Sequence, residues 1–210
     1  MSHDDFAFEP VPGLPERLPE EEVILWQGRP DAFALARDAL NLPWVAGYFG
    51  LLAAWRFGAM LSEAPAGTAL AGATPFVLMG AVVCALLWLV AFVQARATVY
   101  TITNRRVAMR IGAALTLTLN LPFRQVAGAG LALRRDGTGT IALELMGDTR
   151  LSFLVCWPHV RPWRLREPQP ALRCIPDAAN VARVLSEAAE ARISTPQIDR
   201  RPEPAPFAAE

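Results

Sequence analysis

Lysine is absent from this 210-residue chain, and all 20 basic side chains are arginine. GC-rich coding explains that bias most simply, so it carries no mechanistic weight. Cysteine is scarce: Cys84, Cys156 and Cys174 form no CxxC pair, which argues against a disulfide framework. Histidine is scarcer, with only His3 and His159, so no His/Cys metal site is expected. A basic, apolar leader is also missing. The N-terminus is acidic and proline-rich, and no signal peptide is expected. The chain contains no nucleophile elbow, P-loop, dinucleotide fingerprint or HExxH, and no paired carboxylates in an apolar setting. It is therefore read as non-enzymatic and without a cofactor. Asp136-Gly-Thr-Gly139 superficially resembles a catalytic Asp loop, but between two strands it is more simply a hairpin turn.

What the chain has is apolar residues, 53% of the total and concentrated in one region. Residues 43–61 make nineteen residues of predicted helix, roughly 28 Å long. Thr74-Pro75 is a helix opening, with threonine as cap and proline at the first helical position. Residues 75–95 follow with no charge, enough to cross a hydrocarbon core of roughly 30 Å. The pattern predicts a two-helix transmembrane hairpin. Arg37 precedes it and Arg96, Arg105, Arg106 and Arg110 follow it, while the connecting segment holds Glu63 and no arginine. The positive-inside rule then predicts a multi-pass protein with both termini cytoplasmic.

Charge is divided along the chain. Residues 1–41 carry three arginines against nine acids, net −6, and residues 96–210 carry sixteen arginines against ten acids, net +6. A basic segment beside a membrane attracts anionic headgroups, which makes Arg96, Arg105, Arg106 and Arg110 lipid-contact candidates. Arginines spread over strands and turns next to a bilayer do not form the stripe that nucleic acid requires, so no such partner is expected. Within the first span, Ala46, Gly50, Ala54 and Gly58 recur every four residues and line one helix face. Such a row suits close helix packing, either against the second span or against another protein's helix. Arg56 is the one charged residue in the spans; it can snorkel outward, pair with Glu63 or meet a specific partner.

After Arg96 the period changes. Residues 98–103, 107–111, 115–121, 126–135, 140–146 and 150–155 read as six strands broken by turn chemistry, and residues 23–27 supply a seventh before the hairpin. A helix from Pro176-Asp177 carries an apolar stripe of Val181, Val184, Leu185 and Ala188. The fold class is thus a transmembrane hairpin plus a mainly-β barrel or sandwich with a C-terminal helix. Its divisions are a disordered tail at 1–20, a first strand and juxtamembrane segment at 21–41, the two spans, a cytoplasmic domain at 96–193, and a disordered tail at 194–210.

The stretches Glu22-Val-Ile-Leu-Trp-Gln-Gly-Arg-Pro30 and Tyr100-Thr-Ile-Thr-Asn-Arg-Arg106 resemble those of membrane-bound bacterial pleckstrin-homology-like (PH-like) domains, in which a two-helix hairpin separates the two motifs. Further on, Trp157-Pro-His-Val-Arg-Pro-Trp-Arg164, Glu167-Pro168-Gln169-Pro170, Leu172-Arg-Cys-Ile-Pro-Asp-Ala178 and Leu115-Thr-Leu-Thr-Leu-Asn-Leu-Pro-Phe-Arg-Gln125 resemble the PuhB family. These are photosynthetic complex assembly proteins of purple bacteria, encoded near the reaction-centre H subunit. The resemblance implies a non-enzymatic factor of the inner (intracytoplasmic) membrane that meets reaction-centre or light-harvesting polypeptides. It also admits a homodimer. Trp157, His159, Arg161, Trp163 and Arg164 are the partner-contact candidates, since Trp and Arg favour both protein and membrane interfaces. The same tryptophans could instead cover one end of the β domain. His159 lies outside both spans and is not read as a pigment ligand.

Overall fold

The computed structural model describes residues 11–113, 115–147 and 151–194. Residues 1–10 and 195–210 of the two expected tails lie outside the described residues. Among the described residues, seven strands form two antiparallel sheets. The first, in spatial order, holds β1 (Ile24–Gly28), β2 (Val99–Thr103), β3 (Arg106–Ile111) and β4 (Leu117–Pro122); the second holds β5 (Val126–Leu133), β6 (Gly139–Leu145) and β7 (Ala171–Ile175). Alternating side chains from both sheets meet in one core: Tyr100, Ile102, Val107 and Met109 from the first, and Ile141, Leu143, Leu172 and Ile175 from the second. A C-terminal helix, introduced by Asp177 at φ +48, closes that core with Val181, Leu185 and Ala188.

Three helices separate β1 from β2. These are α1 (Ala32–Asp38), α2 (Leu42–Leu61) and α3 (Ala66–Ala97). Among the described helices, α3 is the one long and apolar enough to cross a membrane by length and composition. It begins nine residues before the expected start at Pro75, which lies inside it. Proline removes one backbone donor, but this turn also carries the Thr74 hydroxyl, which donates to the Leu70 carbonyl at 2.9 Å. Ala69 and Ala73 are buried, and Gly72 lies beside Met60 of α2, so packing extends the helix through a stretch with no apolar run. The helix α1 was not expected. Asp31 caps it, accepting from the Ala34 amide at 2.7 Å, and Leu35 packs with Ala91 and Ala95 of α3 and with Cys174 of β7. The β domain therefore rests directly on the end of α3.

Two strand assignments differ from expectation. Residues 153–156, expected as the end of a strand from 150, form the short helix α4 (Phe153–Cys156), and Arg150 lies outside the described residues. The seventh strand is β7 instead. The C-terminal helix is therefore α5 (Ala178–Ser194).

The first sheet is covered on its outer side by residues before β1, part of the segment expected to be disordered. Leu14 is buried, and Gly13, at φ +85, lies so close to Val99 that any Cβ would fall 2.6 Å from its methyl carbon. Glu22 is buried and accepts from the Thr103 hydroxyl and from Arg106 Nε, both at 2.8 Å. Glu22→Ala removes a charge-assisted pair from a dry site and is expected to lower stability by about 2 kcal/mol, read as a fall in the thermal unfolding midpoint.

Candidate functional site

The chemistry-bearing side chains gather where α1 and α3 join the β domain. Thr98 follows α3 directly, and its hydroxyl donates to the Gln94 carbonyl at 2.8 Å. Its oxygen must therefore accept the contact from His159 Nε2 at 3.1 Å, which places the ring proton on Nε2. Nδ1 is then a bare acceptor for the Tyr100 hydroxyl at 2.6 Å, and the Tyr100 oxygen accepts from the Arg173 amide at 3.2 Å. This directional chain fixes a neutral imidazole. Burial first, then the Arg173 charge, pushes the His159 pKa down to about 3, and burial drives the Tyr100 hydroxyl strongly up.

Arg173 extends the junction. Its guanidinium is buried and donates to the Pro158 carbonyl and to the Asp38 carbonyl, both at 3.2 Å. The Asp38 carboxylate, at the end of α1, meets Arg37 Nε at 3.0 Å and Arg134 Nε at 2.5 Å. Cys174 Sγ lies 3.7 Å from the same carboxylate, and burial pushes its thiol up to about 12, so it is no nucleophile. Arg37 also reaches Asp136 at 2.9 Å in the β5–β6 turn. There Asp136 accepts from the Thr138 hydroxyl and amide, and Gly137 has φ +80. The Thr138 hydroxyl and then Arg37 hold the Asp136 carboxyl down at about 2. The Asp-Gly-Thr-Gly stretch is thus a turn whose carboxylate fastens α1.

Several sequence candidates land elsewhere than expected. His159 is fully buried, so it does not belong to an exposed contact loop. Arg110 is buried as well, beside Val99 in the β2–β3 ladder. Arg105 and Arg106 lie at the β2–β3 turn, the end of β2 away from α3, some 16 Å of strand from it. They pair with Glu21 and Glu22. Of the four headgroup candidates, Arg96 keeps an exposed position at the end of α3, its guanidinium 4.8 Å from the Phe92 ring. In α2, Ala46, Gly50, Ala54 and Gly58 are all exposed, and a Cβ on Gly50 or Gly58 would meet nothing within 4 Å. The row faces away from α3, so the intramolecular packing considered for it does not occur. Arg56 is exposed near the outer end of α2.

Trp157, Arg161, Trp163 and Arg164 are exposed. Beside them, residues 164–169 and the β5–β6 edge line a groove of about 690 Å³ that includes Glu144, Arg164, Arg166 and Glu167. Gln169 closes its floor, bonded to Arg161 at 3.0 Å and Glu144 at 3.2 Å. Sequence reasoning missed Arg173 and Asp38 as the junction's charged centre, because each reads alone as an ordinary surface charge.

A family model described as the bacterial PH domain matches residues 42–189, which includes α2, α3 and the strands β2 to β7 but not β1. The chain belongs to the bacterial PH domain family. This bacterial PH domain protein is also 53% identical, over 204 residues, to a Rhodobacter capsulatus protein described as an uncharacterized 23.7 kDa protein in the puhA 5′ region. That alignment covers 96% of this chain and 95% of the relative. No solved structure matches it.

Proposed function

We propose that this bacterial PH domain protein is a PuhB-type, non-enzymatic assembly factor for the photosynthetic reaction centre and its light-harvesting complex, anchored in the inner membrane of a purple bacterium. The observation that carries the reading is the relative in the puhA 5′ region, matched along nearly the whole of both chains. A family encoded near the reaction-centre H subunit agrees with that position. The anchor in this reading is the α2–α3 hairpin, with both termini cytoplasmic. Its support is the outer surface: α2 exposes Trp44, Tyr48, Leu51 and Trp55, and α3 exposes Val77, Leu78, Val82 and Leu86. In water those side chains would form a large unsatisfied apolar face; in lipid they are solvated.

Docking on a membrane-embedded partner then falls to the open row of Ala46, Gly50, Ala54 and Gly58, where a partner helix can approach closely. The alternative of a lipid-sensing adaptor gripping headgroups with Arg105, Arg106 and Arg110 has less support, because these side chains are paired with acids or buried.

Affinity capture from photosynthetically induced membranes tests the reading. Reaction-centre or light-harvesting polypeptides should be enriched over an unrelated hairpin protein, and no enrichment would refute the proposal. Gly50→Leu with Gly58→Leu should leave the chain folded, since both positions are open, and should remove most of the captured partner. Undiminished capture would show that the row is not the docking face.

A further inference from the structure

The segment 154–165 carries exposed apolar side chains that the function above does not use. Leu154 and Val155 on α4 are 84% and 62% exposed, Trp163 is 94% exposed and Leu165 is 67% exposed. Trp163 adopts φ +65, a conformation unusual for a bulky residue, and holds its ring away from the domain. Arg161, Arg164 and Arg166 lie among these apolar residues, and among the described residues no ion pair engages them. Leucine, valine, tryptophan and arginine are the mixture that settles between acyl chains and headgroups.

Position decides what this mixture faces. The base of the segment is fixed to both membrane-side helices. His159 bonds Thr98, the residue that ends α3. Pro158 shares the Arg173 guanidinium with Asp38, which ends α1 four residues before α2 begins. Thr98 lies only three residues, or about 4.5 Å of helix rise, past Ala95. Trp163 is four residues from His159, a reach of at most roughly 14 Å. Trp163 is therefore tethered within that reach of the end of α3.

We infer that residues 154–166 form a second, peripheral membrane contact, in which Trp163 and Leu154 enter the interface and Arg161, Arg164 and Arg166 bind anionic headgroups. This rests on the reading that α3 spans the membrane. The contact gives the β domain a second hold on the bilayer beside the hairpin's own attachment, which limits its swing about the end of α3. A protein surface would instead offer a packed centre ringed by polar groups. Here the exposed apolar side chains alternate in sequence with cations from Arg161 to Arg166.

The test uses the full chain in vesicles of brominated phosphatidylglycerol and phosphatidylcholine, with bromine either high or deep on the acyl chain. Subtracting the emission of Trp163→Phe from that of the unaltered chain isolates Trp163, and Trp88→Phe isolates a tryptophan of α3. Trp163 should lose most of its emission to shallow bromine and be shielded from acrylamide, while Trp88 reports the spanning helix. Arg164→Gln with Arg166→Gln should lower the docked-to-free ratio roughly fivefold per charge. Quenching of Trp88 with Trp163 left open to acrylamide overturns the peripheral contact and leaves the anchor standing. Loss of quenching at both overturns the two together. Quenching of Trp163 that ignores anionic lipid content overturns the part assigned to the arginines.

Discussion

Lowering the pH from 7 to 5 is expected to remove about 2 kcal/mol of folding stability, and His159→Gln should flatten that dependence. The cause is the directional chain through the His159 ring. With Thr98 donating to Gln94 and Tyr100 donating to Nδ1, a second ring proton would have to displace the Tyr100 hydroxyl in a site closed to water. The folded protein therefore keeps the imidazole neutral down to about pH 3. In the unfolded chain the same ring takes up a proton near its ordinary value of about 6.5. Between those two values the unfolded state binds more protons, so stability rises with pH across the window. It is fully present above about 6.5 and is lost progressively as the pH falls toward 3. His159 is the only histidine among the described residues, and the ordinary carboxylate range lies below pH 5. Glutamine offers one acceptor and one donor without titrating, so the variant should be weaker at pH 7 yet flat down to pH 5. Chemical unfolding of the reconstituted protein, followed by tryptophan fluorescence across this range, checks both points. An unchanged slope in the variant would show that another group drives the acid sensitivity.

Much of the architecture was legible in local pattern, and the junction was not. Alternation placed the strands of the first sheet and the β5–β6 hairpin, and the apolar run placed α2 to within one residue. The long start of α3 escaped because Ala69 and Ala73 are helical through burial against α2, not through any apolar run. β7 escaped because Arg173 and Cys174 read as loop residues between prolines. Its pairing with β6 and the φ of +53 at Cys174 are set by the sheet and by Asp31, whose amide donates to the Cys174 carbonyl at 2.7 Å. His159 was misplaced because flanking Pro and Arg suggest surface, whereas Pro158 and Val160 are buried beside it. The division of charge along the chain has a structural cause as well. Part of the acidic N-terminal excess folds across the β2–β3 turn, where Glu21 and Glu22 neutralise Arg105 and Arg106 over more than eighty residues of sequence.

Gly80→Ala is expected to cost about 1–3 kcal/mol and to loosen α2 from α3, although it adds a single methyl group. A Cβ at Gly80 would lie 2.6 Å from Phe49 Cβ and 3.0 Å from its Cγ. Phe49 Cβ is fixed to the α2 backbone, so no rotamer change relieves the overlap and the helices must separate. Gly72 presents the contrasting case. Its neighbour is the sulfur of Met60, the free end of a flexible side chain that can swing aside. Gly72→Ala should therefore be close to neutral, and Gly50→Ala, with nothing within 4 Å, should gain up to about 1 kcal/mol of helix propensity. SDS titration of the three variants in the same lipid checks the order. Equal midpoints would mean that α2 and α3 do not meet at Gly80. The larger Gly80→Leu carries the argument into function. By forcing α2 away it changes the direction in which Ala46, Gly50, Ala54 and Gly58 face, and partner capture should fall although the row itself is intact. Capture that survives Gly80→Leu but not Gly50→Leu with Gly58→Leu would mean that the row binds without needing the hairpin to position it.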